Sequence, residues 1–571
     1  MKNIIYTFAL LLALLSSCSR ESINNVPYDF AKPEVICADS AKVAGFVANV
    51  YSSMPTGYNR ISGPAMVASA TDEAVHAVRG SGAELWGEGS WGPNNLYDNT
   101  FAACYTGIRH TFDYTDIIEP KIRDIVVTPA GRKLFHGQVL FLRALYNFEI
   151  FKRFGGYPIV LKSLDALTDD LNIPRSKYDE CVKYISDLCD SAATILPTSY
   201  PAAQLGRATK GAALALKARL WLYAASPLFN DPSKTNDDLE HGAYDAKKWE
   251  KAADAAAAVI NLKENDNPVY GLYASYDAFF TTLNGNKEII LSQMTAASNT
   301  VEKQNGPVSI TGGQGGTCPT WDLVSDYEMV TGIPFDWSLP GSQANPWANR
   351  DPRFAKSILY NGATWMNNMT IQTYEGGPDK VGNNATRTGF YLRKFLGIGA
   401  RWNAPTGTTY HCFPLFRYGE VLLNYAEAMN EAYGPDVDPK GYGMTARQAV
   451  ALIRTRAGLT GNKDFSVTTA ANYVPAGDKA KMRTALQHER RIELVFEEHR
   501  HLDLRRWKLA ETVLNQPVHG LQIVKNADNT YTYTPIEVEK RVFDAKMYLY
   551  PFLQTEIARN KNLVQNTGWS N

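Results

Sequence analysis

Thr209–Ala225 reads T-K-G-A-A-L-A-L-K-A-R-L-W-L-Y-A-A, and beyond an insertion Lys247–Leu262 reads K-K-W-E-K-A-A-D-A-A-A-A-V-I-N-L. Ala212, Leu216, Leu220 and Tyr223 recur at three- and four-residue spacing, which puts them on one face of a helix. Ala212, Ala213 and Ala215, answered by Ala252, Ala253, Ala255 and Ala256, leave room for two helix backbones to approach closely. That combination predicts helix pairing of the tetratricopeptide type. The period is not kept, because insertions such as Ser226–Asp245 interrupt it, so the expected scaffold is a degenerate helical repeat.

The same spacing extends to either side. Arg132–Arg153 carries Leu134, Val139, Leu142, Tyr146 and Ile150, and Arg417–Tyr433 places Val421, Leu422, Tyr425, Ala426 and Met429 on one stripe. Asp478–Leu509 reads as one long charged helix punctuated by Leu486, Ile492, Val495 and Phe496. Shorter helices are expected at Ala41–Tyr51, Lys177–Leu196 and Ala446–Ala457. Between about residues 270 and 410 the texture changes to Gly, Asn, Pro and aromatics, which predicts long loops and short strands mounted on the helices. The fold class is therefore mainly α, with an irregular loop-rich lobe.

The 571 residues balance 58 Lys and Arg against 58 Asp and Glu, so no basic excess exists for holding a polyphosphate, and nucleic acid is not an expected partner. The first residues differ from the rest: Lys2, an apolar run from Ile4 to Leu15, then Leu15-Ser16-Ser17-Cys18. This is an export signal ending in a lipobox, which predicts a signal peptide over 1–17 and lipidation of Cys18. Cys37, Cys104, Cys181, Cys189, Cys318 and Cys412 show no C-x-x-C pair and no zinc-like spacing, so buried free thiols are expected.

His499-Arg500-His501-Leu502-Asp503 resembles part of a metallo-hydrolase ligand set. Residues two apart on a helix point about 200° apart and cannot grip one metal, so the segment is read instead as an ion-pair lattice of Arg490, Arg491, Arg500, Arg505 and Arg506 facing Glu493, Glu497 and Asp503. No nucleophile elbow, P-loop or H-E-x-x-H occurs, and no cofactor motif. Trp86, Trp91, Trp321, Trp337, Trp347 and Trp365 all lie in Gly-, Pro- or Asn-rich surroundings. An indole can cover the apolar face of a pyranose while neighbouring polar groups hold its hydroxyls; each ring either does this or covers a junction between loop and scaffold.

Five ordered motifs over about four hundred residues resemble the SusD/RagB family of outer-membrane nutrient-binding lipoproteins. They are Arg143-Ala144-Leu145-Tyr146 running into Phe154-Gly155-Gly156-Tyr157-Pro158; Arg417-Tyr418-Gly419-Glu420-Val421-Leu422-Leu423 with Tyr425-Ala426-Glu427-Ala428; Ile453-Arg454-Thr455-Arg456-Ala457-Gly458; Glu489-Arg490-Arg491-Ile492-Glu493-Leu494 through Arg505-Arg506-Trp507; and Tyr550-Pro551 with Glu556-Ile557 and Gln565-Asn566. The resemblance implies a tetratricopeptide-like platform with a ligand-facing lobe, divided as an N-terminal region over 18–230 and a C-terminal region over 231–571 that includes the lobe at 270–410. It implies capture of oligosaccharides without catalysis, an outer-membrane address, and hand-off to a SusC-like TonB-dependent transporter. Peptide capture and, more remotely, glycan hydrolysis are the alternatives. Thr71-Asp72-Glu73 looks like the family's T-D-E strand, which makes Asp72, Arg79 and Trp86 candidate ligand residues, with Trp91 as a competitor for Trp86. A second wall is expected where Gly312-Gly313-Gln314-Gly315-Gly316 leads to Trp321, with Tyr327 and Trp337 chosen by composition.

Overall fold

In the computed structural model, which describes residues 32–61, 63, 65–366, 368–382, 384–397 and 408–570, the helices stack in chain order. Phe101–Phe112 packs on Pro129–Phe154, which packs on Tyr178–Ile195, then Lys210–Ala225, then Lys248–Ile260. The next helix in space is Tyr418–Ala432, so the stack skips the whole of 261–417 and resumes, ending on Ala446–Ala457 and Lys479–Glu493. The chain is mainly helical, a tetratricopeptide-like stack with an irregular lobe inserted between two adjacent helices. The signal peptide and the Cys18 lipidation expected from the sequence fall outside the described residues.

Small residues set the helix spacing. A Cβ on Gly137 would come within 2.6 Å of Ile195, so only glycine lets the Pro129–Phe154 and Tyr178–Ile195 helices meet there. Where the first of these ends, Gly155 takes φ +75° and caps it through its N–H to the Phe151 carbonyl, which turns the chain sharply into Tyr157-Pro158.

Two large cores result. One runs along the stack through Leu142, Tyr146, Leu216, Leu220, Ala253, Leu422 and Ile453, and a second fills the lobe around Trp321, Phe354, Phe390, Phe395, Val495 and Leu521. The lobe's strands are short antiparallel pairs: Ala74–His76 with Thr317–Pro319, Ile289–Gln293 with Phe413–Arg417, and the longer hairpin Val518–Lys525 with Tyr531–Glu539. All six described cysteines are buried free thiols.

One helix differs from its sequence reading. Asp478–Leu509 is not continuous: it ends at Glu493 and a new helix begins at Arg500, with Phe496 at φ +62° and Glu498 at φ +63° between them. Neither residue favours the left-handed region, so tertiary contacts must hold it. Glu497 is gripped by Lys394 and Arg417, and Glu498 by the Arg60 guanidinium, at 2.7–3.1 Å.

Candidate functional site

The ion-pair lattice is present, with partners drawn mostly from other elements. Arg490 and Arg506 both meet Asp503, and Arg506 also meets Glu427. Glu493 and Glu497 face Arg417, and Glu493 also meets Arg353 and Arg456. Arg505 donates to the His501 and Met547 carbonyls and has no carboxylate partner among the described residues. His499 and His501 are buried, and desolvation first, then the neighbouring arginines, hold both well below the usual histidine range.

The two expected walls do meet: Ala74 pairs with Pro319 and His76 with Thr317, and the Thr320 hydroxyl donates to the Asp72 carbonyl at 2.7 Å. Their candidate side chains, however, are mostly turned into packing. The Asp72 carboxylate is clamped by Arg500 at 2.8 and 2.9 Å and by Arg491 at 2.9 Å. Burial pushes its pKa up, but the two guanidiniums outweigh this and hold it well below the carboxylate range. Trp86 is 5 % exposed, with its ring against His501 and Tyr550, and Trp91 is 6 % exposed between Tyr550 and Trp569. Trp321 is 6 % exposed and Tyr327 fully buried. The closing C-terminal segment packs on Trp86 and Trp91, the lobe core holds Trp321 and Tyr327, and the arginine clamp holds Asp72, so in this structure all five expected ligand residues stand in packing. Arg79 stays open to solvent, 3.7 Å from Glu84.

Glu73 lies beside this clamp, and burial, reinforced by Asp72, pushes its pKa up to about 7. A folded-state value above the ordinary 4.5 means the proton is kept on folding. Its stabilising share is whole below pH 4.5 and is lost as pH rises through 7. Glu73→Gln should thus raise stability by roughly 1–3 kcal/mol at pH 8 and change little at pH 4. Urea unfolding at the two pH values checks this; equal midpoints for both proteins at pH 8 would contradict it.

Partly solvent-accessible aromatics gather elsewhere on the lobe. Trp337 stands edge-on to Trp321 at 4.9 Å, and Trp321 stacks on Phe390, which supports Trp347 at 5.9 Å. From Trp347 the rings continue to Tyr360 at 4.9 Å and Tyr533 at 5.5 Å, then to Tyr531 at 6.2 Å and Tyr374 at 5.7 Å. Trp337, Trp347, Tyr360, Tyr374, Tyr531 and Tyr533 are all half-buried and seated on the second core. Alternation in Thr530-Tyr531-Thr532-Tyr533-Thr534 puts both tyrosines on one face of the hairpin strand. Arg350 fixes the loop that carries Trp347: it donates to the Pro346 carbonyl at 2.8 Å and to Tyr327 at 2.7 Å, and lies 3.7 Å over Phe335.

Burial keeps the Tyr360 and Tyr533 hydroxyls above their ordinary pKa, so at neutral pH both are uncharged groups able to donate and accept. Lys525 sits 5.7 Å over Tyr374, and Gln522 pairs with Glu375 at the same end. Flat rings with neutral hydroxyls and amides at their edges suit a ligand with C–H faces and hydroxyl rims. Of the seven candidates named from sequence, Trp337 belongs to this surface and Trp321 supports it from below. The tyrosines were missed, although their period-two spacing was a readable signal.

Comparison with known proteins adds a pedigree. Residues 287–569 match the family model described as "SusD family", and residues 27–222 match one described as "Starch-binding associating with outer membrane". A SusD-like protein P2 of Formosa agariphila is 29% identical over 174 residues, which is 30% of this chain and only 28% of that protein's length. Among solved structures, a SusD-like protein from Bacteroides fragilis is 26% identical with a TM-score of 0.76, covering 94% of this chain and 98% of that one. A SusD-like carbohydrate binding protein from Bacteroides fragilis is 23% identical with a TM-score of 0.73, covering 93% of this chain and 100% of its own. Surface glycan-binding protein A from Bacteroides uniformis is 18% identical with a TM-score of 0.62, covering 92% and 99%. The last two are likenesses of fold.

Proposed function

Because this chain belongs to the SusD/RagB family, whose members are described as associating with the outer membrane, we propose that it binds oligosaccharides on the aromatic surface of its lobe and leaves them uncleaved. The observation that carries this reading is the run of half-buried rings from Trp337 through Trp347 to Tyr533, Tyr531 and Tyr374, fixed by a packed core. Pre-set rings lose little conformational freedom on binding, which favours a weakly apolar ligand such as a sugar. A peptide site would instead favour a strand edge or a charged cavity. Lipidation at Cys18 would tether the protein, and transfer to a SusC-like TonB-dependent transporter would follow capture.

Calorimetry of the full chain in detergent against a neutral oligosaccharide panel and a peptide pool tests this. Trp347→Ala and Tyr531→Ala should each weaken saccharide binding tenfold or more, about 1.4 kcal/mol, with no new reducing ends after long incubation. Peptide binding alone, unchanged isotherms for both variants, or released reducing ends would reject the reading.

A further inference from the structure

Away from the aromatic surface, two cavities of about 230 and 340 Å³ lie side by side where the 198–209 segment crosses the Ile289–Gln293 strand and the Ser40–Val50 helix. Leu205, Gly206, Arg207 and Met294 line both, so they form one two-lobed groove with a shared saddle. The saddle is built by glycine: a Cβ on Gly206 would run into Met294. Met294 and Leu205 are 40% and 39% exposed, an apolar ledge at the junction.

The electrostatics of this groove are one-sided. Among the described residues its walls contain Arg207 and, in the first cavity, Lys287, and no carboxylate. Arg207 is half-buried and Lys287 exposed, and neither has an ion pair among the described residues. At the rim, the Ser199 hydroxyl donates to Glu264 at 3.2 Å. Tyr200, on the wall of the first cavity, has a buried hydroxyl with no partner, and Arg207 lies close enough to draw its pKa down against the burial that pushes it up to about 12. A half-buried guanidinium and an orphaned hydroxyl in one cleft lack the acceptor that would satisfy them.

We infer that this groove is a second ligand site, separate from the aromatic surface, which takes an acidic saccharide by pairing its carboxylate or sulfate with Arg207 while a sugar face lies on the Leu205–Met294 ledge. The acidic part of this assignment rests on Arg207, Lys287 and Tyr200; the saccharide part leans on the function proposed above. A guanidinium suits either anion because both offer two oxygens to its fork.

Titrate the full chain in detergent with oligogalacturonate, oligomannuronate and sulfated galactan oligosaccharides, each beside a neutral oligosaccharide of equal length. At least one acidic probe should bind more tightly than its neutral counterpart and weaken as salt rises. Arg207→Gln should lower that affinity at least tenfold, and Trp347→Ala should leave it unchanged. No preference for any acidic probe, or affinity unaffected by Arg207→Gln, would overturn the site. Dodecanoate binding that Arg207→Gln abolishes, with no acidic sugar bound, would overturn the saccharide assignment. Neutral binding lost in Trp347→Ala, without acidic binding, would defeat this site and spare the aromatic one. Acidic binding lost in Arg207→Gln, with no neutral binding, would do the reverse.

Discussion

Arg417→Met is expected to destabilise the protein by about 3–5 kcal/mol, the cost of removing one partner from a buried charge cluster. Arg417 is about 1 % exposed, and its Nε and Nη1 reach Glu497 at 2.7 Å, Glu288 at 2.8 Å and Glu493 at 2.9 Å. Methionine fills much of the volume but leaves three buried carboxylates short of a cation. Burial alone would raise Glu493, yet Arg456, Arg417 and Arg353 outweigh it and hold its pKa at about 2. A depressed carboxylate stabilises above its unfolded value and loses that contribution as pH falls through the folded one. The parent should therefore keep this contribution until pH falls from about 4.5 towards 2, and Arg417→Met should unfold at a higher pH. Adding Glu497→Gln should recover part of the loss, because the charge left unpaired is then removed. Denaturant and acid midpoints of the three proteins check this; an Arg417→Met midpoint equal to the parent's would show that the lattice carries no stability.

The same lattice shows what could and could not be read from sequence. Helical stripes such as Leu216-Leu220-Tyr223 and Val421-Leu422-Tyr425 were legible because amphipathic periodicity is local. The break between Glu493 and Arg500 was not, since no Gly or Pro marks it. It is imposed by Lys394, Arg417 and Arg60, residues distant in sequence that pull Glu497 and Glu498 into place. The adjacency of the Thr71–Glu73 and Thr317–Trp321 segments matched expectation, whereas the orientation of their side chains did not. Trp86 and Trp91 sit among Gly and Ser, which reads as an exposed loop, yet Tyr550 and Trp569 from the far end of the chain close over them. Conversely, Trp347 and Tyr533 meet only through the fold, so their shared surface could not be assembled from local texture.

That reversal has a measurable consequence at Trp86. Its ring is held at 5.6 Å from His501 and 6.3 Å from Tyr550, both edge-on, and Arg541 lies against Gly87 where a Cβ would come within 2.6 Å of the guanidinium. Little around it can collapse, because the Tyr550 ring beside it is fixed through its hydroxyl to Asp98 at 3.1 Å, itself held by Arg153 at 2.9 Å. Truncating a buried indole in such a setting removes its transfer free energy and leaves a cavity, so Trp86→Ala should cost about 3–5 kcal/mol. At temperatures where the variant remains folded, its affinity for oligosaccharide should equal the parent's, since the aromatic surface is seated on the other core. Thermal unfolding paired with calorimetry separates the two possibilities. A variant that melts with the parent but binds sugar more weakly would put this indole back in the ligand site and remove the packing account. A steep loss of stability with an unchanged isotherm means that Trp86 is a packing residue of the stack core and takes no part in sugar recognition.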